Sequence, residues 1–249
     1  MLLRRIYQFF IIYLLGIALL FALKYTLRLS DYVIPSPDEI WRTGRDYAGP
    51  YLLAVLNTLA VAILGHLLSI CLATAVAVLG RLTAWIGPFI RTAAYHIQAY
   101  PIVAVAPIIF ILLGDGLASR LLIAAMICYF PLLLSFIGIF SEPVTDIEHF
   151  YESTRRMTWR LQVKIRAFEN IHKLTTVIVG SATMAMVGTI VAEFIAATAG
   201  IGYSIRIALY QSDLAKILVA LFLIGIGTSL YLVSLEGLGN ALQKRLKSI

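Results

Sequence analysis

Long apolar runs limit first what this chain can fold into. Ile6–Leu23, Tyr51–Leu79, Ile90–Leu113, Arg120–Phe140, Leu174–Thr198 and Ile217–Gly239 each reach the roughly 20 residues that carry a helix across a bilayer. Hydrocarbon supplies no hydrogen-bond partners, so backbone at that depth must bond to itself, which a helix does within one segment. The expectation is an all-α polytopic membrane protein, one transmembrane domain over residues 1–249 with about six spans. Composition agrees: 61% of residues are hydrophobic and 13% charged, far from the usual soluble balance.

Between the fourth and fifth runs lies Ser141–Lys173, SEPVTDIEHFYESTRRMTWRLQVKIRAFENIHK. Acids come first (Glu142, Asp146, Glu148, Glu152) and bases follow (Arg155, Arg156, Arg160, Lys164, Arg166). So many charges do not rest in hydrocarbon, and the stretch is expected in water, joining two parts of a membrane bundle. Ile147, Phe150, Tyr151, Thr154 and Met157 recur at helical spacing. They predict a short amphipathic helix that either offers a face to another protein or packs back on its own bundle.

Lys and Arg gather on the cytoplasmic side of membrane proteins. With the N-terminus inside, that side receives Arg4, Arg5, Arg81, Arg91, the bases of Ser141–Lys173, and Lys244, Arg245 and Lys247. The outer side receives Lys24, Arg28, Arg42, Arg45, Arg120, Arg206 and Lys216, interleaved with acids. The bias predicts cytoplasmic N- and C-termini and a cytoplasmic polar stretch. The net charge of +7 therefore reads as orientation in a lipid bilayer rather than nucleic-acid binding. Ile6–Leu23 has no small-residue cleavage site before Lys24 and reads as a retained first span. Lys24–Pro50 reads as a polar connection with a short helix started by Ser36 or Pro37, and Ala199–Lys216 as a re-entrant connection.

Several residues inside the runs carry two readings. Pro101, Pro107 and Pro131 are packing kinks or hinges. His66, His96, Gln98, Asn57 and Thr58 are interior hydrogen-bonding groups or face a cavity. Ser181, Ala185, Gly188, Ala192 and Ala196 make a smooth face for close helix contact, between subunits or within one bundle. Glu193 either lines a path or is an anchor bonded to the amides of Gly200–Tyr203; the anchor is the preferred reading. Cys71 and Cys128 lie in apolar runs and read as small core residues, with no metal site expected. No GxxxxGK[ST], HExxH or GxSxG occurs, so the chain is not expected to be an enzyme or to bind ATP itself.

Five ordered segments carry a resemblance: IPSPDEIW (Ile34–Trp41), NTLAVAILG (Asn57–Gly65), QAYPIVAVAPIIFILLGDG (Gln98–Gly116), YFPLLLSFIGIF (Tyr129–Phe140) and VAEFIAATAGIGYSI (Val191–Ile205). Together they resemble permease subunits of binding-protein-dependent ABC importers, in the nitrate/taurine/sulfonate branch. The resemblance implies a type I importer permease fold in the inner membrane. It also implies a second permease, either a copy or a paralogue, a separate ATPase subunit that binds ATP, and an external solute-binding protein. The family's coupling loop, with an EAA signature, a glycine and an LP pair, falls on Ser141–Lys173. There the chain departs from the pattern. Glu152–Ser153–Thr154 stands for Glu-Ala-Ala, Thr158 for the glycine, and Ala167–Phe168 or Ile171–His172 for Leu-Pro. Loss of both breakers predicts longer or straighter coupling helices.

On this resemblance, coupling to the ATPase is assigned to Tyr151, Glu152, Arg155, Arg156, Met157 and Trp159. The translocation path is assigned to His96, Gln98, Tyr100 and Pro101, and a subunit interface to Ser181, Ala185, Gly188 and Ala192. The competing function is a degenerate permease that does not transport and serves as scaffold or regulatory partner of a second, more typical one.

Overall fold

A computed structural model describes the backbone of residues 2–247 and the side chains of residues 7–246. Arg4, Arg5 and Lys247, used in the charge argument, lie outside the described side chains. The described chain is helical throughout, in the order α1 (Leu2–Leu27), α2 (Pro37–Leu79), α3 (Ile86–Gln98), α4 (Ile102–Leu113), α5 (Leu117–Ser141), α6 (Thr145–Ser153), α7 (Trp159–Glu169), α8 (Ile171–Ile195), α9 (Ile201–Tyr210) and α10 (Leu214–Lys247). Helices α1, α2, α5, α8 and α10 are long and apolar enough to cross a membrane, and α3 with α4 makes a sixth, bent span.

The second helix is not the short start and separate span that the prolines of Lys24–Pro50 predicted. It runs 43 residues without a break, with Pro50 inside it. Ser36 caps it by accepting from the Glu39 amide, Pro37 opens its first turn, and Asp38 and Glu39 favour its positive end. Pro50 removes one amide donor, but it is exposed near the α9 end of the bundle, where helices tolerate such a loss.

The three intramembrane prolines behave differently. Pro107 and Pro131 lie inside α4 and α5. At Pro101 the span breaks, with an 86° bend between α3 and α4. The amides of Ala99 and Tyr100 close α3 on the carbonyls of Tyr95 and Ile97. Pro101 then sits extended (φ −67°, ψ 116°) and its carbonyl accepts from Ala104 at 2.8 Å, opening α4.

Helices α2, α5 and α8 form the core. Ala124 of α5 lies between two glycines: an added Cβ on Gly65 of α2 would come 2.9 Å from its Cβ, and one on Gly188 of α8 would come 3.1 Å from its Cα. This close approach replaces the hydrophobic drive that lipid does not supply between helices. Ala185 and Ala192 are fully buried in the same packing, and Ser181 nearly so. The small-residue face, assigned above to a subunit interface, is therefore consumed inside this chain's own bundle and presents no free surface. Helix α1 rests on α10 through the rings of Phe9, Phe10, Tyr13 and Phe222.

The polar stretch also departs from its expected form. One amphipathic helix through Met157 does not form; α6 ends at Ser153 and α7 starts at Trp159. The amides of Arg155 and Arg156 bond the carbonyls of Glu152 and Tyr151, each at 2.9 Å, with Arg155 left-handed at φ +56°. That is a Schellman end built without its usual glycine. Thr158, at the place of the family's glycine, caps α7 by accepting from the Leu161 amide at 3.2 Å.

Candidate functional site: a buried charge anchor and a peripheral helix pair

Two polar clusters lie at opposite ends of the bundle. The first joins the beginnings of α5 and α9 to the end of α8. Glu193 is fully buried. Its Oε1 accepts from Arg120 Nη2 at 2.5 Å, and its Oε2 from Thr58 Oγ1 at 2.7 Å and the Gly202 amide at 3.0 Å. Thr58 in turn accepts from the Ile201 amide at 2.9 Å, and Arg120 also donates to Asn57 Oδ1 at 2.5 Å. The backbone is shaped around the carboxylate. Gly200 is left-handed at φ +97°, and an added Cβ there would occupy the Glu193 carboxylate itself. At Gly202 a Cβ would strike the Ile190 carbonyl. Glu193 is thus a structural anchor that fastens α9 to α2, α5 and α8, and it leaves no oxygen for a passing solute.

Glu193, Asn57 and Thr58 stand out in the sequence, whereas Arg120 reads there only as an outer-side charge at the start of the fourth span. Arg120 is instead 6% exposed within the first turn of α5. Its signal was weak because it stands at the edge of an apolar run, beside a Gly-rich turn. Deeper in the bundle, His66 bridges Tyr231 Oη at 2.7 Å and Ser181 Oγ at 2.8 Å, linking α2, α10 and α8. It is an interior hydrogen-bonding group with no exposed surface.

The second cluster holds α6 and α7 on the bundle. Arg166 Nε and Nη2 donate to Glu148 Oε1 and Oε2 at 2.6 and 2.7 Å, and Arg166 Nη1 donates to the Phe140 carbonyl at 2.9 Å. Glu148 also accepts from the Val144 amide and from Gln162, and Gln162 accepts from Arg81 Nη2. The fork of Arg166 and these added donors hold the Glu148 carboxyl down at about 2, against the cost of its burial. Neither residue stood among the coupling residues assigned above. Their signal was the order of charges, acids first and bases later, which a hairpin brings face to face.

With its inner face so fixed, the pair carries the assigned coupling residues toward its outer side. Glu152, Arg155 and Arg156 are exposed, Trp159 is 37% exposed, and Tyr151 and Met157 are half-buried. Phe150, which sequence reasoning placed on the helix but not in the coupling set, is 62% exposed at the same tip. His96, Gln98, Tyr100 and Pro101 gather at the α3–α4 break, all exposed on the outside of this chain. No group of three or more His, Cys, Asp or Glu with metal-binding geometry occurs among the described residues.

These features define a class: a multi-pass helical membrane protein with one broken span and a water-exposed helix pair clamped to one end. Residues 67–248 match the family described as binding-protein-dependent transport system inner membrane component, and the chain belongs to that family. It therefore has the type I ABC permease fold and is an inner-membrane transport protein rather than an enzyme. It is 37% identical over 125 residues to the riboflavin transport system permease protein of Chloroflexus aurantiacus, covering 50% of this chain and 46% of that one. It thus spans about half the length of that relative. It is 25% identical over 222 residues to the formylaminopyrimidine transport permease protein of Halalkalibacterium halodurans, covering 86% of each. A probable ABC transporter permease protein of Haemophilus influenzae is 24% identical over 173 residues, 69% of this chain and 70% of that one.

Proposed function

We propose that this chain is the transmembrane subunit of an ATP-driven importer that moves a small solute delivered by an external binding protein. A separate ATPase would drive it through α6 and α7. The observation that carries this reading is the Glu148–Arg166 clamp. Helix α6 and its closing turn, with exposed Phe150, Glu152, Arg155 and Arg156, are bonded through buried charges to the Phe140 carbonyl at the end of α5. Force applied to its outer face passes into the core helices rather than into a loose loop. A solvated connector would need no such clamp. The α6–α7 end then faces the cytoplasm, in keeping with its surplus of bases, and both chain termini lie on that side. The degenerate EAA segment still ends in a well-formed turn, so docking on an ATPase does not require the family's glycine here.

Transport also needs a second permease, a copy or a paralogue, against which the exposed α3–α4 break would close. His96, Gln98, Tyr100 and Pro101 would line the path between the two chains. The solute is read from the chemistry at that break and from the relatives, whose names give riboflavin and a formylaminopyrimidine. The break offers an imidazole, a phenol ring and an amide but no lysine or arginine among these four residues, which suits a neutral heterocycle better than the anions of the nitrate/taurine/sulfonate branch.

The test is the double charge swap Arg155→Glu/Arg156→Glu, read by solute uptake and by co-purification of the ATPase. Lost uptake with the complex weakened is the expected result. Unchanged uptake would instead favour the scaffold reading, in which this chain only supports a second permease.

A further inference from the structure

A cavity of about 540 Å³ opens at the α6–α7 end, between the α2–α3 turn and the end of α5. Its polar lining is Arg81, Thr83, Arg91, Thr92 and Ser141, with no carboxylate among its lining residues. Arg81 spends Nη2 on Gln162, yet its Nε is buried with no partner among the described residues. Arg91 is exposed and makes no ion pair among the described residues. Of the adjoining acids, Glu148 is already engaged by Arg166, Gln162 and the Val144 amide, and Glu142, next to Ser141 in the chain, pairs with Lys173. Ser141 donates its own proton to Ile137, which leaves the two threonine hydroxyls and the arginines as free donors. The first turn of α3 also borders the cavity through Gly87, and no side chain caps that helix. Its amides add positive potential on the same side.

The rim fixes what such a site would meet. Leu82, Trp85 and Phe89 are 43%, 66% and 63% exposed around the turn, and the Trp85 and Phe89 rings meet edge to face at 6.1 Å. Exposed Trp beside Leu and Phe marks the level of lipid headgroups. A basic cavity that opens there faces phosphate esters anchored by acyl chains.

We infer that this cavity is a binding site for the phosphate of an anionic phospholipid, held by Arg81 and Arg91 with Thr83 and Thr92. The acyl chains would lie along Leu82 and Phe89. The site is separate from the α3–α4 break and does not depend on the solute carried.

Native mass spectrometry of the full-length protein, delipidated and then titrated with phosphatidylglycerol or phosphatidylcholine, tests it, with inorganic phosphate in a parallel arm. One tightly retained phosphatidylglycerol per chain is expected, and Arg81→Gln/Arg91→Gln should weaken it at least about tenfold. Arg81→Lys/Arg91→Lys, which keeps the charge, should retain most of the binding, and this separates lost charge from lost fold. Equal retention of both lipids, or unchanged retention in the Gln pair, would overturn the site. Saturation by inorganic phosphate with no preference for the lipid would overturn the assignment to a lipid.

Discussion

Replacing Glu193 by Gln should uncover how much the buried anchor matters. The substitution keeps the size of the side chain and lets it still accept from Thr58 and the Gly202 amide. It strands the Arg120 guanidinium, 6% exposed, with Asn57 Oδ1 as its one remaining side-chain partner. A buried cation without its counter-ion typically costs on the order of 3 kcal/mol or more. For a chain of this size that corresponds to a fall in melting temperature of about 6–12 °C. Arg120→Gln strands the carboxylate instead and should cost a similar amount. The double variant leaves two neutral amides able to bond each other, so its loss should match a single one, roughly 3 kcal/mol short of the sum. The assay is thermal unfolding in detergent, followed as loss of the monodisperse fraction on size exclusion. A double variant that loses the full sum of the singles would refute the claim that the two charges act as one unit.

Three further outcomes follow from the same geometry. Gly200→Ala places a methyl group where the Glu193 carboxylate lies and adds about 1–3 kcal/mol of backbone strain, because φ +97° with ψ 172° is a conformation essentially reserved to glycine, so it should unfold at least as early as Glu193→Gln in the same melting assay. The Glu148 carboxyl is held near 2, below its ordinary 4.5, so the clamp is at full strength above about pH 4.5 and is lost as the pH falls toward 2. That shift is worth on the order of 3 kcal/mol. Hydrogen exchange of the Val144 amide and of α6 should stay flat from pH 7 to 5 once the intrinsic rate is removed, whereas Glu148→Gln should speed it already at pH 7. Phe150→Ala removes a ring that is 62% exposed and meets the neighbouring Tyr151 edge to face, so it should leave the melting temperature within about 2 °C while reducing uptake; unchanged uptake would remove Phe150 from the docking surface.

The parts of this fold that announce themselves in sequence are those set by solvent. Apolar runs such as Leu174–Thr198 had to be spans, and the charges of Ser141–Lys173 had to stay outside them. Glu193 was legible as an anchor because a lone carboxylate in an apolar run demands donors, and Gly200 and Gly202 stand close behind it. What stayed hidden depends on pairing across long distances. Nothing local joins Arg120 to Glu193, 73 residues away, or tells that Ser181 is used by His66 inside the bundle rather than by a second subunit. The α6–α7 hairpin was hidden for a different reason. Its turn is made by Arg155 in a left-handed conformation, where a glycine would have signalled it. Pro50 and Pro101 look alike in sequence, yet only the second breaks a helix, because backbone bonds at Ala99 and Tyr100 close α3 before it.

The most direct test of the account is a cross-link. A single cysteine at Phe150, in a background lacking Cys71 and Cys128, is placed beside the co-expressed ATPase, with a matched cysteine at Tyr210, the 79% exposed last residue of α9 at the other end of the bundle, as the comparison. The account expects a short bifunctional reagent to join the chain to the ATPase from position 150 and not from position 210. Cross-linking from 210 alone would contradict it.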